Sequence, residues 1–397
     1  MARFGRKVNK SRAKVLIAVA VTLVLVGGIC AAIWLLPSGS EAPESGTGVQ
    51  GGEDTVIHVV SAGDLNITDK VVASGADGGS YDYSEVFLDV MPILSGGDIT
   101  TLNFEGNLYE EPYGSKHNSA PRELVYALRN AGVDILQTAN SKSVTNGLLG
   151  LSSTLDGIRG AGIQSVGTYA SEQEFQRYQG FLIREVNGIR IAITAFTKGM
   201  DGRGLPSGSE HCVNLLYSDY NSAYQKVDKD GINSVLEAIE KEKPDITIAL
   251  LHWGSEFNDQ VSKTQQEIIQ IMADGGVDAI VGTHPHYVQK IGFDADTGML
   301  IAYSLGDFLG DGEKSGTNYS VILDMEITRD GKTGAVKITD YSYVPIYLYE
   351  NEAGQLRLLR IREALTAYEN SSINSVTPED YAAMKNALER IESRVNG

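Results

Sequence analysis

The sequence predicts a layered α/β domain carried behind one N-terminal transmembrane helix. Three observations predict it. A long uncharged apolar run stands near the start, short β-branched runs then alternate with helix-like segments, and polar residues recur where those runs end. The chain has 397 residues, with 42% hydrophobic and 21% charged, which suits a globular protein with a buried core.

Arg3, Arg6, Lys7, Lys10, Arg12 and Lys14 open the chain, and no acid precedes Glu41. The run Val15–Leu36 holds no charge and is long enough to cross a hydrocarbon core of about 30 Å. Basic residues collect on the cytoplasmic side of a span. Residues 1–14 are therefore expected in the cytoplasm, 15–37 in the membrane, and the C-terminal domain outside the cell. A cleaved signal peptide has an apolar stretch of only about 7–15 residues, so the run is read as an uncleaved signal-anchor. Cys30 near its end makes only a loose match to a lipidation site. Residues 38–54 are rich in Ser, Gly, Pro and Glu and read as a flexible linker.

Charge narrows the partners. There are 33 Lys and Arg against 51 Asp and Glu, a net −18. Six of the basic residues precede the span, which leaves 27 against 51, or −24, for the rest. Nucleic acid needs a cationic face and is excluded. Two cysteines, one of them inside the apolar run, exclude a disulfide framework.

From Thr55 the runs Val56–Ala62, Ile99–Phe104, Val133–Thr138, Ile189–Ala195, Ile246–Leu251, Ala279–Val281 and Met299–Tyr303 read as buried strands. They are short, mostly β-branched, and bounded by Gly, Asp or Asn. Helix candidates lie between them: Pro121–Ala131, Leu148–Ala161, Gly231–Lys243 and Ser262–Asp274. Beyond Tyr319, strand-like runs flank Arg329-Asp330-Gly331-Lys332, whose Asp-Gly predicts a hairpin. Tyr341, Tyr343, Tyr347 and Tyr349 alternate as one packed face of a strand does. The competing reading is an aromatic surface for a glycan or polymer. Thr377–Val395 carries Tyr381, Met384, Leu388 and Ile391 at helical spacing, with Pro378 near its start. One domain is expected over 55–350, with a helical extension over 351–397.

The ends of the runs carry the chemistry. Gly63-Asp64, Asn103-Phe104-Glu105, Asn140, His252-Trp253-Gly254 and Gly282-Thr283-His284-Pro285-His286 each follow a predicted strand. In an open α/β sheet the carboxyl ends of the strands line the ligand crevice, so these residues converge on one edge. Imidazole, carboxylate and amide oxygen together suit a divalent metal such as Mn, Zn or Fe. In an extended segment His284 and His286 point the same way and grip one ion or two adjacent ones. Two ions a few Å apart clamp the attacking and leaving oxygens of a phosphoryl group. Taken singly, each residue has a blander role. Gly-Asp is commonly a turn, a lone His packs, and Asn caps. Their shared position at successive strand ends is what favours a site.

The ordered series Gly63-Asp64, Asn103-Phe104-Glu105, Ala139-Asn140, His252-Trp253-Gly254, Gly282-Thr283-His284-Pro285-His286 and Tyr303-Ser304-Leu305-Gly306-Asp307-Phe308 resembles the CapA-type capsule-synthesis proteins. These are the poly-γ-glutamate group within the calcineurin-like metallophosphoesterase superfamily. The resemblance runs from Ile57 to Phe308 and implies a four-layer α/β/β/α metallophosphoesterase-like sandwich. It implies a cluster of two divalent ions, with Asp64, Glu105, Asn140, His252, His284 and His286 as the metal-site residues. It further implies polyglutamate synthase membrane subunits and an anionic surface polymer as partners. Lys142 departs from the pattern, because it stands where the family's general-acid histidine stands. A lysine donates a proton only if its pKa falls well below about 10.4. Asp307 and Lys70 stand where the family commonly has Asn and Arg.

No Gly-x-Ser-x-Gly elbow and no P-loop is present. The expectation is a membrane-anchored extracellular protein of poly-γ-glutamate synthesis, export or anchoring, with a dinuclear hydrolase-type site in which Lys142 is the doubtful acid. The alternatives are a non-catalytic scaffold binding polymer or synthase subunits, and a general extracellular metal-dependent phosphoesterase. An acidic domain meeting a polyanion needs a local basic patch, divalent cations or a protein partner.

Overall fold

Period-two alternation in the apolar runs builds two sheets that share one core. The structure, a computed structural model, describes residues 52–258, 260–373 and 375–397. The basic segment 1–14, the expected span over 15–37 and residues 38–51 of the expected linker over 38–54 lie outside the described residues. Among those described, no helix is long and apolar enough to cross a membrane. Gly51–Gly397 forms one compact unit.

The first sheet has eight strands. Seven run in the order Leu356–Arg360, Val336–Glu350, Tyr319–Arg329, Thr55–Asn66, Ile99–Glu105, Ile135–Gln137 and Gln164–Val166, and Asp307–Leu309 pairs with the end of Thr55–Asn66. The second sheet has six strands in the order Ile291–Phe293, Leu300–Ala302, Ala279–Thr283, Ile246–His252, Ile189–Thr197 and Phe181–Val186. The expected hairpin is present. Asp330 closes it by accepting hydrogen bonds from the Lys332 and Thr333 amides.

Alternation assigns each side chain to a layer. Ile57, Val59 and Ile99 of the first sheet meet Ile191, Ile193, Ile246, Ile248, Leu250, Ala279 and Val281 of the second in the shared core. Val60, Leu102 and Phe104 face outward onto Leu124, Val125 and Leu128 of helix Glu123–Ala131. On the far side, Ala249, Leu251 and Ile280 face Ile232, Leu236, Ile268 and Met272 of helices Lys229–Glu242 and Lys263–Asp274. Each of the Val, Leu, Ile, Phe and Met side chains among these contributes about 1.5–3 kcal/mol on burial, which locks the layers in register. The four-layer α/β/β/α sandwich is the arrangement the resemblance implies.

Element ends differ from the sequence reading by a few residues, for identifiable reasons. Ser262 and Thr377 are N-caps with full capping boxes (Gln265 and Asp380), so they sit just outside their helices. The segment 351–397 holds helices Ile361–Glu369 and Pro378–Asn396, but it begins with strand Leu356–Arg360 of the main sheet. Helix Pro378–Asn396 inserts Met384, Ala387, Ile391 and Val395 into the inter-sheet core. Tyr347 and Tyr349 are buried in that core, and Tyr341 and Tyr343, half-buried, pack against it from the same strand face.

Candidate metal centre

Parallel strands of both sheets end at one place, and the residues that continue the inward parity there are polar. Asn103 and Glu105 follow Ile99 inward, and His252 follows Ile246, Ile248 and Leu250. Asp64 needs a device to join them, because it shares the parity of Val60 and Ala62, which face outward. Ala62 pairs with Leu102 and Asp64 with Asn103, so Gly63 is an extra residue that shifts the register. This β-bulge turns Asp64 to the inner face and leaves Leu65 outward. Only glycine fits there, since a Cβ on Gly63 would lie 1.9 Å from the Gly306 carbonyl oxygen. The same contact lets the Asp64 amide donate to Gly306 at 3.0 Å and sets Asp64 beside Asp307.

The His-Pro-His segment is not extended, which corrects the sequence reading. Strand Ala279–Thr283 stops, and His284 and His286 take φ of 94° and 60° in the left-handed region. Two non-glycine residues held there store strain of about 1–3 kcal/mol each, a feature that clusters at functional sites. The bend still brings the imidazoles together, with the His284 ring centroid 4.5 Å from that of His252 and 6.1 Å from that of His286. Phe257 stacks on His286 at 5.2 Å.

Hydrogen bonds fix the carboxylates. Asp64 accepts from Asn103 Nδ2 at 2.5 Å and from the His284 amide at 2.9 Å. Asp307 lies 2.7 Å from His286 Nδ1 and accepts from Asn66 Nδ2 at 2.9 Å. Asn140 donates to Asn103 Oδ1 and to the Phe104 carbonyl, while its own oxygen accepts from the Lys142 amide. Ser141 Oγ lies 3.1 Å from His252 Nε2.

Burial dominates the electrostatics. It pushes the Asp64 carboxyl up to about 6 against the pull of His286, and Glu105, with Asp64 beside it, up to about 8. Burial also raises Asp307, opposed by His286. His252 and His284 are driven well below the usual imidazole value, by burial first and then by neighbouring cationic groups. Burial works against the charge on His286 too, but Asp307, Asp64 and Glu105 outweigh it and hold the group at about 10.

These residues offer donor sets that fit divalent cations. Asp64, Glu105 and His252 place one ligand atom each within 4.8 Å of one another, and so do Asp64, His286 and Asp307. Asp64 belongs to both groups. Two buried donor atoms, Glu105 Oε2 and His284 Nδ1, have no hydrogen-bond partner, which a cation would remedy. Three carboxylates crowded in a dry site repel one another unless positive charge joins them.

All seven sequence-predicted residues lie in this region. Lys142 is placed differently from a proton donor. Its ammonium donates to Asp201 Oδ2 at 2.6 Å, and Glu105 and Asp201 hold its pKa above the usual lysine value despite burial. Lys70 is paired elsewhere, with Glu350 at 3.2 Å. In the sequence Asp307 stands out only as a departure from the family pattern, yet in the fold it joins a donor group with Asp64 and His286. The repeated Gly-Asp of Gly306-Asp307, after a short apolar strand, is the signal that points to it. Lys198 and Asp201, just past strand Ile189–Thr197, carried no motif to mark them.

The family model for the bacterial capsule synthesis protein PGA_cap matches residues 58–312, the stretch that contains every one of these donors. The chain belongs to that family. The capsule biosynthesis protein CapA of Bacillus anthracis is 27% identical over 277 residues, covering 68% of this chain and 63% of that protein. The PGA biosynthesis protein CapA of Bacillus subtilis (strain 168) is 27% identical over 270 residues, covering 67% and 65%. The match thus spans less than two thirds of the length of these relatives. The calcineurin-like phosphoesterase YfkN from Bacillus subtilis has a TM-score of 0.43 at 16% identity, covering 86% of this chain and 100% of that one.

Proposed function

We propose that this protein is a membrane-anchored, outward-facing component that makes, exports or anchors poly-γ-glutamate or a similar anionic surface polymer, acting through a two-metal site. The observation that carries the reading is Asp64, shared between two donor groups inside the stretch that matches the family. Asp307 and His286 would hold one ion, Glu105 and His252 the other, with His284 and Asn140 completing the set. Bound divalent ions would supply Lewis-acid polarisation of a phosphoester or acyl oxygen. The chain's own residues fix the carboxylates and keep His252 and His284 neutral as ligands. The anchor is the apolar run Val15–Leu36, and the partners are synthase membrane subunits and the polymer.

The pairing of Lys142 with Asp201 favours a second reading, in which the domain is a non-catalytic scaffold whose role does not depend on bound metal. The full chain, purified without chelator, should carry one or two equivalents of Mn, Zn or Fe, lost in His284→Ala/His286→Ala. Absence of metal after loading would refute the two-metal reading. Complementation of a gene deletion separates the two readings. If the metal-deficient variant restores surface polymer, the scaffold reading stands; if it does not, the metal is needed.

A further inference from the structure

Beside the histidines lies a cavity of about 300 Å³, lined by Ser141, Lys198, Asp201, Tyr224, Glu256 and His284 among others. Lys142, paired with the lining residue Asp201 at 2.6 Å, already has its charge answered. Lys198 is different. Its half-buried ammonium donates to the neutral Gly254 carbonyl at 2.8 Å and rests 4.6 Å from the centre of the Tyr224 ring. Among the described residues, no carboxylate lies within 4 Å of it as an ion-pair partner. An unpaired ammonium removed from water is costly, and paired or ligand-bound cations are the rule. The cost is harder to explain here, because the chain beyond residue 14 has 51 acids against 27 bases. The Gly254 carbonyl and the Tyr224 face orient Lys198, while Glu256 and Asp201 of the same lining act on its charge without forming an ion pair with it, which leaves donor capacity for an incoming group.

We infer that Lys198 is the anion-binding residue of a substrate subsite in this cavity, and that the subsite takes an oxyanion, a carboxylate or a phosphate, next to the metal centre. Ser141 and Ser255 also line the cavity, and His284 ties it to the histidine cluster. The inference rests on the proposed polymer function only for the source of the oxyanion, which would be a side carboxylate of a γ-glutamyl chain.

The test is isothermal titration of the full chain in detergent micelles with two probes, a γ-linked glutamate decamer and inorganic phosphate. Wild type is compared with Lys198→Met, Lys198→Gln and Lys198→Arg, and metal content is measured on each. Loss of one charged hydrogen bond predicts affinity weaker by about tenfold or more in the Met and Gln variants, with partial recovery in Arg and unchanged metal content. Lys198-dependent binding of the decamer supports the subsite and the polymer as its source. Lys198-dependent binding of phosphate alone supports the subsite and removes the polymer from it. Equal affinities in wild type and both neutral variants, or no binding of either probe by wild type, would overturn the inference. The gene-deletion phenotype is independent of all three results, so failure of the subsite and failure of the proposed function remain distinguishable.

Discussion

With chelator present, raising the pH from 7 to 9.5 should strip stability from the domain over residues 51–397. Glu105 sits at about 8 in the folded chain against an ordinary 4.5, and His286 at about 10 against 6.5. Both raised values mean that the folded state holds protons the unfolded state has released. Their stabilisation is therefore complete at low pH and is lost as the pH climbs through the folded values. Each pH unit with one extra bound proton is worth about 1.4 kcal/mol. Starting from pH 7, Glu105 gives up about one such unit and His286 about two and a half. Because the two groups share charge, we expect a combined loss of about 3–5 kcal/mol, against a typical domain total of roughly 5–15 kcal/mol. Asp64, at about 6, is largely ionised in both states above pH 7, and His252 and His284 are neutral in both, so none of the three offsets the trend. The assay is urea unfolding at pH 7, 8, 9 and 9.5, with chelator and with added Mn or Zn. Metal requires ionised carboxylates and neutral imidazoles from the outset, so the loaded protein should show a level profile. Chelated protein whose stability stays level or rises over this window would refute the electrostatic account of the site.

Three further outcomes are expected. Asp64→Asn should lose more metal than Glu105→Gln or Asp307→Asn, because Asp64 alone belongs to both donor groups; equal losses measured by elemental analysis would argue against a shared ligand. Gly63→Ala should cost about 2–4 kcal/mol in denaturant unfolding and release metal as well, since its methyl group meets the Gly306 carbonyl at 1.9 Å; a near-neutral ΔΔG would show that the bulge relaxes freely. Lys142→Met should cost about 1 kcal/mol or less, because its pair with Asp201 is about one third exposed, and should leave any hydrolytic rate within about twofold; a drop of 10²–10⁴-fold would restore Lys142 as the acid.

The layers were legible from the sequence because alternation and helical spacing are properties of contiguous residues, and side-chain burial obeys them almost everywhere. The convergence of polar residues was legible for the same reason, as a repeated position at strand ends. What stayed hidden depends on single departures from regularity. Read by parity alone, Asp64 belongs on the helix-covered face with Val60 and Ala62, and one extra glycine reverses that. The His284-Pro285-His286 segment was read as extended because i and i+2 then coincide, whereas the folded chain bends and holds both histidines at positive φ.

The partner of His286 was the hardest to foresee, and the reason lies in the backbone. Asp307 meets His286 because Asp307 is in register with Asp64, and that register follows from the approach of Gly63 to Gly306. A contact between two glycines leaves no side-chain pattern, although it decides which carboxylates share the centre. The bond from the His284 amide to Asp64 is similar, since it joins residues 220 apart in sequence through a backbone group that every residue but proline possesses. The donors of this site are therefore written in side chains, while their grouping around Asp64 is written in a bulge, a bend and a glycine contact. A substitution at Gly63 or Gly306 should consequently disturb the metal centre as severely as the loss of a ligand, even though neither residue offers an atom to a metal.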